Sequence, residues 1–319
     1  MKTMTKITCI LIGFLFFFNG EKSYGQQLPD FSFARESMFL YNPAAAGHAQ
    51  GMYMFSTVRS QWGKIEGSPF TANIGFHTPL RNKRINLGAS IFNDFTGPTS
   101  YSGISGSFAY RIIFDKGLSR QRARKALSFG ISVGANSYRL NASLLQLDQP
   151  DDPSILANTE SKMYPDASFG AIYEGGKYYV AVAIPQLLQL SVPFEGRNGR
   201  TSNFTKMQHY HLGVGGKISI QDNYSARDIS LDPDINIHYV IGAPPQITSS
   251  LRYSIESLLS VGMGYRSTSH LMIMGGFTLV DRFSVGYAYD MNLSNNRAAL
   301  GQIHEIHISY DFRDNIFGY

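Results

Sequence analysis

The residue types able to do chemistry are few in this chain, and their spacing suits little of it. His209 and His211 stand two apart, His304 and His307 three apart. On an extended chain the first pair shares a face and the second does not. Glu305 is the only carboxylate at useful spacing, whereas zinc needs three or four nitrogen, sulfur or oxygen ligands. Both pairs read as histidines of an interior or an interface. Asp148, Asp151 and Asp152 lead into Pro153. Their oxygens could ligate calcium, but the register of an EF-hand loop is missing, and a proline-punctuated acidic turn is the better reading. The sequence holds no His-Glu-x-x-His and no phosphate-binding glycine loop. Its single cysteine, Cys9, falls in a leader to be removed, which excludes disulfides, zinc-thiolate sites and cysteine nucleophiles together. The expectation is a protein without catalysis, metal or cofactor.

The remaining charges are informative through their parity. Arg59, Asp94, Arg111, Arg266, Asp290 and Glu305 each sit on the polar side of a two-residue alternation. The pattern is clearest toward the end. Phe283, Val285, Tyr287, Tyr289 and Met291 alternate with Ser284, Gly286, Ala288 and Asp290; Ile306, Ile308, Tyr310 and Phe312 alternate with Glu305, His307, Ser309 and Asp311. Sustained period two means strands with one apolar and one polar face. The same reading predicts strands over 51–62, 69–78, 84–95, 101–115, 126–138, 166–174, 176–184, 208–221, 229–242, 246–255, 257–266, 271–279, 283–291 and 304–312. About fourteen strands and no helix fit a closed antiparallel transmembrane barrel.

A soluble β-sandwich is the rival, since it also alternates. Three features favour the barrel. The polar face is mostly Gly, Ser and Ala with scattered charge, as in a lumen; Tyr and Phe recur at strand ends, as in an aromatic girdle; and the aromatic-rich strand Ile306 to Phe312 near Tyr319 suits a C-terminal barrel-insertion signal. On that reading the six charges above point into the lumen, because a charge toward lipid costs about 2–4 kcal/mol at mid-bilayer. They form either a salt-bridged interior that stiffens the barrel, which is preferred, or a selective solute pathway.

The start of the chain gives an address. Lys2 and Lys6 precede an apolar run from Ile7 to Phe18, followed by Ser23-Tyr24-Gly25. This reads as a secretory signal peptide over 1–25; its core is shorter than the roughly 20 residues that span a bilayer. Without it, 25 basic residues face 22 acidic ones, and a net charge of +3 is too weak to argue for nucleic acid. Residues 26–50 form no spanning strand, yet carry Phe31, Phe33, Met38, Phe39, Leu40 and Tyr41. Such side chains must either plug the barrel, which spans 51–319, or meet a periplasmic partner. The expectation is that Phe39, Leu40 and Tyr41 are buried at the periplasmic mouth.

Loop lengths orient the barrel. The connections 79–83, 116–125, 175–176 and 222–228, and those at Glu256 and Asp281, are mostly short; 139–165, 185–207 and 292–300 are long and rich in Pro, Asn and Asp. Short turns belong to the periplasm. That side then collects Arg81, Lys83, Arg84, Lys116, Arg120, Arg122, Arg124 and Lys125. Such a rim is expected to dock an acidic periplasmic partner; a solvated turn, or contact with anionic headgroups, is the alternative.

Several stretches, taken in order, resemble the PorP/SprF family of Bacteroidetes outer-membrane proteins. They are Asn42-Pro43-Ala44-Ala45-Ala46-Gly47; Arg59-Ser60-Gln61-Trp62 with Glu66-Gly67-Ser68-Pro69, where Ser68 replaces the usual Ala; His77-Thr78-Pro79-Leu80; Asn93-Asp94 with Gly97-Pro98-Thr99; Ala109-Tyr110-Arg111-Ile112; Leu127-Ser128-Phe129-Gly130; Asp151-Asp152-Pro153; Ala183-Ile184-Pro185-Gln186-Leu187-Leu188; Gly286-Tyr287-Ala288-Tyr289-Asp290; and His304-Glu305-Ile306. The resemblance covers nearly the whole mature chain. It implies a fourteen-stranded barrel in the outer membrane, an accessory of type IX secretion and gliding that helps export or anchor adhesin-like cargo at the cell surface. It implies engagement of the cargo's C-terminal signal domain beside periplasmic secretion components, and it supplies no catalytic residues. A passive porin or solute channel is the alternative function, with an enzyme in the barrel wall a distant third.

Overall fold

A computed structural model describes residues 29–48, 51–81, 83–114, 125–144, 160–195, 201–220, 229–256, 258–280, 282–295 and 300–312. Fourteen strands build the wall: β1 Tyr53–Gln61, β2 Phe70–Pro79, β3 Ile85–Thr96, β4 Thr99–Ile113, β5 Lys125–Leu140, β6 Glu160–Gly175, β7 Tyr178–Ile184, β8 His209–Gly216, β9 Ile229–Val240, β10 Gln246–Ile255, β11 Leu259–Arg266, β12 His270–Leu279, β13 Phe283–Asn292 and β14 Ile303–Asp311. Ile218–Ile220 continues β8 past Lys217. Each strand pairs antiparallel with its sequence neighbours, and β1 pairs with β14 from Tyr53↔Asp311 to Gln61↔Ile303. The sheet therefore closes on itself as an antiparallel 14-strand barrel. Closure leaves no free edge over the spanning region, as a hydrocarbon environment requires.

Burial runs opposite to that of a soluble sandwich. Along β14, Ile306 is 45% exposed while Glu305 is 1% and His307 3% exposed. On β13 Phe283 and Tyr287 are exposed, Val285 and Tyr289 half-exposed on the same side, and Asp290 fully buried. Apolar side chains out and polar side chains in is the arrangement of a wall with lipid outside.

The interior is filled by the N-terminal segment, whose described residues run from the outer half at Asp30 to the short-turn end at His48. It coils through two short 3-10 turns, Met38–Leu40 and Pro43–Ala45. Asn42 accepts the Ala44 N–H at 3.0 Å through its side-chain oxygen and donates to the Val182 carbonyl at 3.2 Å, so one amide both caps the turn and ties it to β7. Met38, Phe39, Tyr41 and Ala44–Ala46 pack on Phe55, Ala109, Ile172, Tyr179 and Ala181. This is the chain's main apolar core, and it lies inside the lumen. Gly130 on β5 makes room for it: a Cβ there would overlap the backbone of Pro43 and Ala44.

Two local differences from the sequence expectation have clear causes. β6 begins at Glu160, six residues before the expected start, and pairs with β5 up to Leu140↔Glu160. Polar residues and Pro165 mask the alternation there. Ala167 turns its carbonyl away from β5, to the Leu187 N–H, and Pro165 has the same parity. β7 ends opposite Phe169, so no ladder bond is lost at the proline. The second difference is a hairpin, Ser191–Glu195 with Thr201–Thr205, inside what reads in sequence as an irregular outer loop.

Candidate functional site

The first strands and the last meet where the barrel closes, and this brings three distant charges together. Arg59 of β1 faces Glu305 of β14 across the ladder and reaches Asp290 on β13. Its Nη1 donates to Glu305 Oε2 at 2.7 Å and its Nη2 to Asp290 Oδ2 at 3.1 Å. Arg266 of β11 donates to the same Asp290 oxygen at 2.8 Å. All four side chains are at most 4% exposed.

The N-terminal segment completes this network. The backbone N–H groups of Ser32 and Phe33 donate to Glu305 at 2.8 and 2.9 Å. Ser32 Oγ donates to Asp290 at 2.8 Å and accepts from Arg59 at 3.0 Å. Asp30 takes Arg266 Nε at 3.0 Å and Thr248 Oγ1 at 2.8 Å, together with the Gln246 amide, and stands 3.4 Å from His238. One turn later Glu36 is gripped by both terminal nitrogens of Arg252. Two guanidiniums thus face three carboxylates around Ser32, and backbone N–H groups supply the remaining donors. Burial alone would push the Asp30 carboxyl up; Arg266 and then His238 outweigh it and hold it well below the usual range. Glu36 is likewise held down to about 2 by Arg252 against the effect of burial. Buried ion pairs of this kind add little net stability, but breaking one partner costs about 3–5 kcal/mol. Their chemical effect here is to lock an irregular segment to one place on the wall.

The space left beside the segment is divided. A cavity of about 100 Å³ lies toward the long loops, between Leu40 and Tyr41 on one side and Asn73, Tyr101 and Asn136 on the other. Two cavities of about 270 Å³ each lie toward the short turns.

Phe39 and Tyr41 are buried and Leu40 half-buried, but not at the mouth as a group. Phe39 packs on Phe55 and His77, a few residues in from the short turns. Tyr41 lies deeper, its ring 4.3 Å from that of His211 and its hydroxyl donating to the Ala34 carbonyl at 2.7 Å. The segment coils inward because the polar ligands of Asp30 and Ser32 sit in the outer half of the wall. Arg81, Lys83, Arg84 and Lys125 are exposed at the short-turn end, where the Arg111 N–H of β4 donates to the Arg84 carbonyl and extends the β3–β4 ladder. Lys116, Arg120, Arg122 and Arg124 lie outside the described residues, as do the leader at 1–25 and Asp148, Asp151 and Asp152.

The six luminal charges do not act together. Arg59, Arg266, Asp290 and Glu305 form the network; Arg111 pairs instead with Glu174, and Asp94 accepts from Thr71. His209, His211 and His307 face inward, whereas His304 is exposed and bonds Tyr287 at 2.8 Å. Sequence reasoning missed Arg252, although it shares the polar parity of Thr248 and Ser250, and it missed Asp30, Ser32 and Glu36, whose irregular backbone offers no parity to read.

Comparison with solved structures places the architecture among outer-membrane barrels. A Pseudomonas aeruginosa FadL homologue superposes with a TM-score of 0.51 at 11% identity, over 90% of this chain and 96% of that one. The P. putida toluene transporter TodX gives 0.43 at 9% identity, over 85% and 91%. The Acinetobacter baumannii outer-membrane protein Omp33 gives 0.39 at 9% identity, over 82% and 98%. Identities this low speak for the fold alone. No curated protein matches the sequence significantly. The profile described as "Type IX secretion system membrane protein PorP/SprF" matches residues 23–310, which takes in the buried segment and all fourteen strands but the last residue of β14. With nearly its whole length matched, this chain belongs to the PorP/SprF family of type IX secretion system membrane proteins and is a β-barrel of the outer membrane.

Proposed function

We propose that this barrel is a non-catalytic accessory of type IX secretion that helps export cargo or anchor it at the cell surface, by binding the cargo's C-terminal signal domain. One observation carries the choice between accessory and channel: the chain's own N-terminal segment occupies the lumen and is bonded there by buried charge. A passive porin gains nothing from such a filling, whereas a protein-binding barrel gains a rigid wall and loop platform. Long connections at the outer end and a basic short-turn end offer surfaces for cargo and for periplasmic secretion components respectively.

The reading is tested in cells that lack this chain. Cargo bearing the C-terminal signal domain should fail to reach or remain on the surface, and expression of the intact chain should restore it. The purified barrel should retain the isolated signal domain on a column. Normal surface display without the chain would overturn the reading. The porin alternative predicts instead a steady conductance of the reconstituted wild-type protein with unaltered cargo display.

A further inference from the structure

The cavity beside Arg35 has a charge arrangement that the lumen network does not explain. It lies at the short-turn end, with an apolar floor of Met38, Phe39 and Ile172 and the rings of Tyr53 and Tyr179 at its sides. Four other ionisable groups face it, and three are engaged. Glu36 is held by Arg252. His48 stands 2.9 Å from Glu174, which Arg111 also binds. His77 accepts the Gly47 N–H at 3.2 Å. Arg35 is different. Its guanidinium lies 5.4 Å over the Tyr179 ring and makes a long 3.5 Å bond to the Gly216 carbonyl. Among the described residues it forms no ion pair; the nearby Asp234 is occupied by the Tyr179 hydroxyl and the Asn236 amide.

We propose that this cavity is a docking site for an acidic, extended segment of a periplasmic polypeptide, one carboxylate of which pairs with Arg35 while its neighbours meet the basic turn beside it. A half-buried guanidinium that makes no direct ion pair among the described residues, set above an apolar floor, recognises a carboxylate carried on a carbon chain. His77 of β2 lines the cavity, and the same strand runs directly on into the turn with Arg81, Lys83 and Arg84. Those exposed cations, with Lys125 at the start of β5, would draw an acidic chain toward the cavity and speed its arrival. A volume of about 270 Å³ admits side chains and not a folded module. The proposal rests on the accessory reading only in choosing a polypeptide as the ligand.

The probe is a short labelled peptide of alternating glutamate and alanine, with the glutamine-alanine peptide as control, followed by fluorescence anisotropy on the full-length purified barrel. The wild type should bind the acidic peptide and not the control. Arg35→Gln should weaken binding about tenfold or more at low and high salt alike, and Arg35→Lys should recover part of the loss. Changing Arg81, Lys83 and Arg84 together to Ser should weaken binding chiefly at low salt. If Arg35→Gln fails to assemble, protection by the peptide of a single cysteine placed at Tyr53, which also lines the cavity and is half-buried, reads occupancy in the otherwise wild-type chain. Absence of wild-type binding overturns the site. So does binding that survives Arg35→Gln but is lost with the turn, or displacement of the peptide by anionic phospholipid micelles equally from wild type and Arg35→Gln. Cargo display in cells lacking the chain reads the accessory function separately, so failure of one leaves the other standing.

Discussion

Replacing Glu305 by Gln should release the N-terminal segment without opening the wall. The carboxylate accepts three bonds: Ser32 N and Arg59 Nη1 on Oε2, Phe33 N on Oε1. A carboxamide keeps the shape but has one acceptor oxygen. Whichever way it turns, its NH₂ meets a backbone N–H, and one of the two charges that balance Arg59 is gone. Removing one partner of a buried pair costs about 3–5 kcal/mol. The β1–β14 ladder, which does not use this side chain, should hold, so the cost falls on docking of the segment. At 1.4 kcal/mol per decade the undocked fraction should rise about a hundred- to a few thousandfold. The only cysteine is Cys9 in the expected leader, so Ala45→Cys gives a single thiol, at a position 5% exposed, whose maleimide labelling rate reports undocking. Glu305→Gln in that background should accelerate labelling by this factor and raise single-channel conductance, with barrel assembly by gel mobility unchanged. Adding Arg59→Met should recover part of the loss, since the two residues couple. Equal labelling rates with and without Glu305→Gln would refute the idea that this network holds the segment.

Three further outcomes follow from other parts of the structure. Glu36 and Asp30 are held below their ordinary ranges, so docking is stabilised above the unfolded carboxylate range, near 4.5 for Glu36, and weakens as pH falls toward about 2; conductance should rise over that window and Glu36→Gln should flatten its share of the rise. Gly130→Val should push the Pro43–Ala44 backbone off β5 at a cost of about 1–3 kcal/mol, speeding Ala45→Cys labelling, whereas Gly106→Ala, where a Cβ meets nothing within 4 Å, should change the rate little. Ile273→Lys puts a charge on a half-exposed outward position midway along β12 and should cost about 2–4 kcal/mol, read as a lower yield of inserted, heat-modifiable barrel.

Sequence alone determined the strands and their two faces, because alternation is a local property: Ile306 and Glu305 must point apart wherever the strand lies. It also placed Arg59, Arg266, Asp290 and Glu305 on the polar side, since a charge toward lipid is too costly. It did not show that these four meet. That requires β1 to close on β14, a pairing over 246 residues that no local pattern encodes. Nor did it separate Arg111 and Asp94 from them, which depends on which strands are neighbours around the barrel. The N-terminal segment was legible only as apolar surface needing cover. Where it went was decided by tertiary structure: Asp30, Ser32 and Glu36 sit on irregular backbone without a period, and their partners are contributed by strands β1, β9, β10, β11, β13 and β14. Burial by the closed wall then turns those scattered polar groups into a lock, because a buried charge tolerates no loss of its partner.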